Sequence, residues 1–148
     1  MKAYFKNLLS GLSGVLDDKI LYYHSVLEVC LLRSKPEFEP NSRTERLKQI
    51  MQNLQGINPS AEYKQNFKDY LIQYNNLKAN KHKRLISWSN LYLKMFYAMQ
   101  KALPEVDLLT ITREQIEMQN LPCKTVKNAI DAGLLPKVND YQRYNRNI

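Results

Sequence analysis

The chain has little of what marks a secreted scaffold, a membrane protein or a metalloenzyme. Its two cysteines, Cys30 and Cys123, cannot build a disulfide framework and read as reduced, intracellular thiols. Four glycines among 148 residues exclude collagen-like and low-complexity architectures. Its two histidines, His24 and His82, lie on separate segments, and no His or Cys has a partner at ligand spacing, so no metal is expected. A glycine-rich phosphate loop is missing as well. The carboxylate pairs Glu37/Glu39 and Glu114/Glu117 read as surface charge rather than as acid–base couples, and Cys123 has no His near it in sequence. A non-enzymatic protein without a cofactor is the expectation.

Long hydrophobic runs are also lacking. The most apolar stretch, Leu85 to Leu103, carries Lys94 at its centre together with Ser87, Ser89, Asn90, Gln100 and Lys101, which makes it costly to place in a bilayer. Asn7 to Leu16 is uncharged and follows Lys2 and Lys6. However, Gly and Ser interrupt it, and Asp17 and Asp18 follow with no small-x-small cleavage site. A soluble, cytoplasmic chain with no membrane partner is therefore expected.

What is abundant is positive charge: 22 Lys and Arg against 14 Asp and Glu, a net charge of +8 that favours anionic partners. It is unevenly spread. Residues 1–60 carry a net charge of +2, residues 61–103 +6 and residues 104–148 zero. The densest cluster is Lys78 to Arg84, KANKHKR, in which Lys78, Lys81, Lys83 and Arg84 suit phosphate contact. Ten tyrosines and one tryptophan invite base stacking, but Tyr22, Tyr23, Tyr63, Tyr70, Tyr74, Tyr92 and Tyr97 recur at helical spacing among Leu and Phe and read as packing residues.

The hydrophobic pattern is helical nearly throughout. Ala3 to Leu16 reads as a first helix weakened by Gly11 and Gly14. Asp17 and Asp18 then suit the start of a helix over Asp18 to Arg33, which carries Ile20, Leu21, Tyr23, Leu27, Cys30 and Leu31. Pro36 and Pro40 bracket a loop. Ser42 with Glu45 forms a capping box for a helix that stops at Gly56, and Ser60 caps the next one. Leu85 to Leu103 reads as a central, mostly buried helix ended by Pro104.

The segment Leu108 to Asn139 is the most informative. Thr112 with Gln115 is another capping box, Asn120-Leu121 is a turn, and Pro122 suits the first turn of a second helix. Val126, Ala129 and Ile130 form its apolar stripe, Gly133 ends it, and Leu134-Leu135-Pro136-Lys137-Val138 leaves as an extended stretch. Two short helices, a tight turn and an extended exit make a helix-turn-helix.

Leu108-Leu109-Thr110, the Thr125-Val126 pair, and the Ile130, Gly133, Leu135-Pro136 and Val138 series agree in register with one family. The segment resembles the winged helix-turn-helix of the excisionase and MerR type, over about a fifth of the chain. The resemblance implies that the second helix enters a DNA major groove with its N-terminal part. Lys124, Lys127 and Asn128 would then face base edges or phosphates, and Thr125 a phosphate or a thymine methyl group. It also implies that Lys137 and Arg143 on a short β wing hold the backbone or a minor groove.

The resulting expectation is an all-α protein, with a helical bundle over 1–104 followed by a helix-turn-helix and short β wing over 105–148. Its function would be non-enzymatic binding of double-stranded DNA, as a transcriptional regulator or an excision/recombination accessory factor. The alternative is a helical protein-interaction module whose helix-turn-helix docks a protein partner, since a face of Lys124, Lys127 and Asn128 followed by Asp131 also suits plain solvent. A homo-oligomer is compatible with either reading.

Overall fold

In the computed structural model, residues 2–5, 13–24, 27–37, 41–81 and 83–148 are described. The chain divides into two compact units, Met1–Pro40 and Asn41–Ile148. The division expected at 104/105 falls inside the second unit, where Leu108 and Ile116 share one buried core with Leu54 and Phe96.

The first unit is a four-stranded antiparallel sheet, which overturns the all-α expectation. Its strands are β1 (Lys2–Phe5), β2 (Gly14–Leu16), β3 (Lys19–His24) and β4 (Val29–Ser34), in the order β1-β4-β3-β2. The stretch expected as one helix over Asp18 to Arg33 is instead the β3–β4 hairpin, with Tyr22 opposite Leu31 and Tyr23 opposite Cys30. Asp17 and Asp18 cap no helix; they form the two-residue connection between Leu16 and Lys19, which pair directly. Asp17 takes the left-handed conformation such a tight turn demands (φ 50°), one that Asp tolerates better than most residues. The helix expected over Ala3 to Leu16 is contradicted at both ends by β1 and β2, and its middle lies outside the described residues. Cys30 and Leu31 point to opposite faces of the sheet and both are buried. With apolar residues on both faces, the sequence lacks the alternation of a half-exposed strand.

The second unit is helical. Its helices are α1 (Ser42–Gly56), α2 (Ala61–Asn76), α3 (Trp88–Ala102), α4 (Arg113–Met118) and α5 (Val126–Asp131). The cap of α1 is one residue earlier than expected. Asn41 Oδ1 accepts from the Thr44 N–H at 2.9 Å and Thr44 Oγ1 from the Asn41 N–H at 3.0 Å, so the Ser42/Glu45 box is not used. Ser60 caps α2, and Thr112 with Gln115 forms the expected box on α4. In α3 the residues Leu91, Tyr92, Met95, Phe96 and Met99 are buried, while Lys94 and Tyr97 on its other face are exposed. It is therefore amphipathic and not buried all round.

The core is rich in aromatics. Tyr63, Phe67, Trp88, Tyr92 and Phe96 pack largely edge to face, with ring centroids 4.8 to 6.4 Å apart. Long-range hydrogen bonds from buried phenols tie α2 to the C-terminal segment: Tyr63 Oη donates to the Cys123 carbonyl at 2.6 Å and Tyr70 Oη to the Pro136 carbonyl at 2.8 Å. The expected C-terminal wing is absent. Among the described residues every strand precedes Lys35, and beyond α5 there is only a 3₁₀ turn at Tyr141–Arg143. No helix among the described residues is long and apolar enough to cross a membrane.

Candidate nucleic-acid interface

Residues 112–133 run helix, turn, helix, but the second helix does not begin at Pro122. Pro122–Lys124 is a 3₁₀ turn, and the chain re-enters helix only at Val126 with Thr125 as the cap. The six residues of α5 bury Val126, Ala129 and Ile130, the stripe read from the sequence. Gly133 ends the segment at φ 72°, a conformation that suits glycine.

The geometry at the start of α5 differs from that of a groove-reading helix. The last residues of the chain run alongside it: the Lys127 N–H donates to the Tyr144 carbonyl at 2.9 Å, and the Ile148 N–H to the Lys124 carbonyl at 3.0 Å. Ile148 is fully buried, and Arg113 reaches across from α4 to its carbonyl. Thr125 is buried, with its hydroxyl accepting from the Asn128 N–H at 3.0 Å, so it serves the helix cap. Lys124 is half-exposed and donates to Asn120 Oδ1 at 3.1 Å. Lys127 and Asn128 are half-exposed on the outer side of α5. Cys123, at the 3₁₀ turn, is no activated thiol: burial pushes its pKa up to about 12.

The other expected contacts converge elsewhere. Lys137 and Arg143 do not sit on a wing. They flank the C-terminal half of α2, where Gln73, Asn76 and Leu77 line a cleft together with Lys137, Val138 and Asn139. Gln73 anchors this edge. With its amide oriented to satisfy both groups, its N–H donates to the Asn139 carbonyl at 2.8 Å and its oxygen accepts from the Arg143 guanidinium at 3.1 Å. Arg143 also lies over the Tyr144 ring, 5.1 Å from its centroid, and Lys137 over Tyr141 at 5.3 Å. These stacking contacts fix the position of each cation while leaving it exposed.

The chain leaving this cleft at Leu77 enters the basic run at once. Lys78 opens a 3₁₀ turn, and Lys78, Lys81, Lys83 and Arg84 are all exposed. On α3, Lys94 donates to Tyr74 Oη at 2.6 Å and so adds a cation beside the same end of α2. No acidic residue occurs between Asp69 and Glu105, so no carboxylate from this stretch neutralises the run. The ion pairs found among the described residues, Arg113–Glu117 and Arg146–Glu62, leave these cations out. Sequence reasoning found the run and the two C-terminal cations separately. It missed Lys94, for which the acid-free span of residues 70–104 was the available signal.

No cluster of three or more His, Cys, Asp or Glu residues capable of holding a metal occurs among the described residues. Comparison with protein families, with curated proteins and with solved structures returned no match to this chain.

Proposed function

We propose that the helical unit binds double-stranded DNA through its phosphate backbone, at the basic end of α2. One observation carries this reading. The fold sets Lys137 in one cleft with Asn76 and Leu77, which lead into Lys78, Lys81, Lys83 and Arg84, and brings Arg143 to Gln73 on the same helix, with Asp69 and Asp140 near it, so exposed cations from two distant parts of the chain meet at this end of α2. Phosphate contacts of this kind give affinity and orientation without base readout. The covered start of α5 supports a structural role for the turn at 120–125, with Lys127 and Asn128 left as the residues of that helix able to approach a groove.

Anisotropy titration of random duplex at several salt concentrations tests the reading. Each lost phosphate contact lowers the slope of log affinity against log salt by about 0.9. The variant Lys81→Ala/Lys83→Ala/Arg84→Ala is expected to lower it by roughly two to three. Adding Lys137→Ala should lower it by a further ~0.9, because that residue belongs to the same surface. A slope unchanged in both variants rejects the proposal.

A second reading, protein docking, has its own observation. Met118 on α4 is 86% exposed and Ile72 on α2 is 64% exposed, apolar side chains that a protein partner would cover. No binding of duplex by the folded, unsubstituted chain would put that reading first.

A further inference from the structure

A second cleft lies away from the basic surface. It opens where the end of α1, the turn at Asn58-Pro59, and the first turns of α2 and α3 meet, and it encloses about 210 Å³. Leu54 and Tyr92, both buried, form its floor. Met51, Trp88 and Leu93 form the walls. These walls are held in place: Trp88 packs against Tyr92 (centroids 5.8 Å apart) and Phe67 (6.4 Å), and Tyr92 Oη reaches the Leu54 carbonyl at 3.5 Å. The concavity is therefore present without a ligand, which reduces the ordering cost of binding.

The rim is polar on one side. Asn58 and Ser89 sit there, and Lys64 on α2 is the cation among the lining residues, which include no carboxylate. Lys64 takes part in neither ion pair found among the described residues; the nearest acid on its helix, Glu62, is paired with Arg146. An apolar, aromatic-walled cleft with one cation at its edge is complementary to an amphiphilic anion. At about 210 Å³ the cleft is small for a ligand site, whose range starts at ~300 Å³, which suits one aromatic ring with a short side chain and not a long acyl chain.

We infer that this cleft is a binding site for a small aryl carboxylate, its ring between Trp88 and Met51 over the Leu54/Tyr92 floor, and its carboxylate at Lys64. The site is independent of the DNA surface, so either can fail without the other. The chain contains a single tryptophan, and it lines the cleft, so its fluorescence reports occupancy directly.

The test uses the full chain and 3-phenylpropionate, with the uncharged 3-phenylpropanamide as its isostere. The expected result is a saturable change in Trp88 emission, with the carboxylate binding roughly tenfold tighter than the amide. Lys64→Gln should weaken the carboxylate by about that factor and leave the amide unchanged. Lys64 is half-exposed, and circular dichroism of the variant confirms that the fold is retained. Equal affinity for acid and amide in the natural chain overturns the inference, as does discrimination that survives Lys64→Gln. A change in Trp88 emission that depends on protein concentration and not on ligand would make the cleft a self-association surface and also overturn it.

Discussion

Replacing Tyr63 by Phe removes one oxygen atom from the centre of the helical unit. Tyr63 is fully buried, and its hydroxyl donates at 2.6 Å to the Cys123 carbonyl, 60 residues away in sequence. Phe keeps the ring, and with it the edge-to-face contacts with Phe67 (5.1 Å) and Tyr92 (6.3 Å), so packing loss is small. What remains is the hydrogen bond and the desolvated carbonyl it leaves behind, together about 1–3 kcal/mol. A unit of about 110 residues unfolds with an entropy near 0.23 kcal/mol/K, so a loss of ~2 kcal/mol lowers Tm by ~9 °C. Trp88 fluorescence follows the transition, because the chain's one tryptophan lies in this unit. Tyr92→Phe is the control. It is also buried, but its hydroxyl lies 3.5 Å from the Leu54 carbonyl, at the edge of hydrogen-bonding distance. It should cost under ~1 kcal/mol, hence under ~4 °C. Equal shifts in the two variants, or a Tyr63→Phe shift below about 2 °C, would refute the claim that this bond ties α2 to the turn before α5.

Three further outcomes follow from buried polar groups. Cys123 should resist iodoacetamide at pH 8 in the folded protein and react on unfolding, as peptide mapping would show; labelling at the rate of a free thiol contradicts its burial. Burial raises the folded thiol from its ordinary 9.0 to about 12. The proton is therefore held in the folded chain where the unfolded chain releases it. Its contribution to stability is complete below pH 9 and is lost as pH rises from 9 through 12, and buried Tyr63 and Tyr92 act in the same direction. Asn66 Nδ2 is buried without a hydrogen-bond partner, so Asn66→Leu should leave Tm unchanged or raise it; a loss above ~1 kcal/mol would mean that the amide is satisfied by bound water.

The helices of the second unit were legible because their signals are local. Ser60 and Thr112 cap three residues onward, Gly133 stops its helix, and the Val126/Ala129/Ile130 stripe appears in the spacing alone, whereas α1 runs through Gly56 to a cap at Ile57, with Asn58 taking the left-handed conformation. The hairpin in the first unit was not legible. Ile20-Leu21-Tyr22-Tyr23 is apolar at every position, so its periodicity does not separate a strand with apolar residues on both faces from a buried helix. Asp17-Asp18 suits a helix start and a tight turn equally well. Aromatic enrichment in that run favoured the strand.

Within the candidate interface the division is similar. Composition alone established a strongly basic chain whose charge is concentrated between residues 61 and 103, since charge is a property of residues wherever they fold. Local spacing established a helix, a turn and a short second helix near the C-terminus. Tertiary structure decided what those elements present. It laid the final residues along Lys124–Lys127, turned Thr125 inward as a cap, and set Lys137 and Arg143 beside the end of α2. These outcomes depend on contacts such as Tyr63 to Cys123, Tyr70 to Pro136 and Ser60 to Asn147, between residues 60 to 87 positions apart. The energies of the first two come from burial and from pairing polar groups against a shared core, and that of the third from a bond at the surface between chain segments the core has brought together; none depends on sequence neighbours. For that reason a window of neighbouring residues can specify a helix and its cap, whereas which face of that helix meets a partner is settled only when the whole core closes.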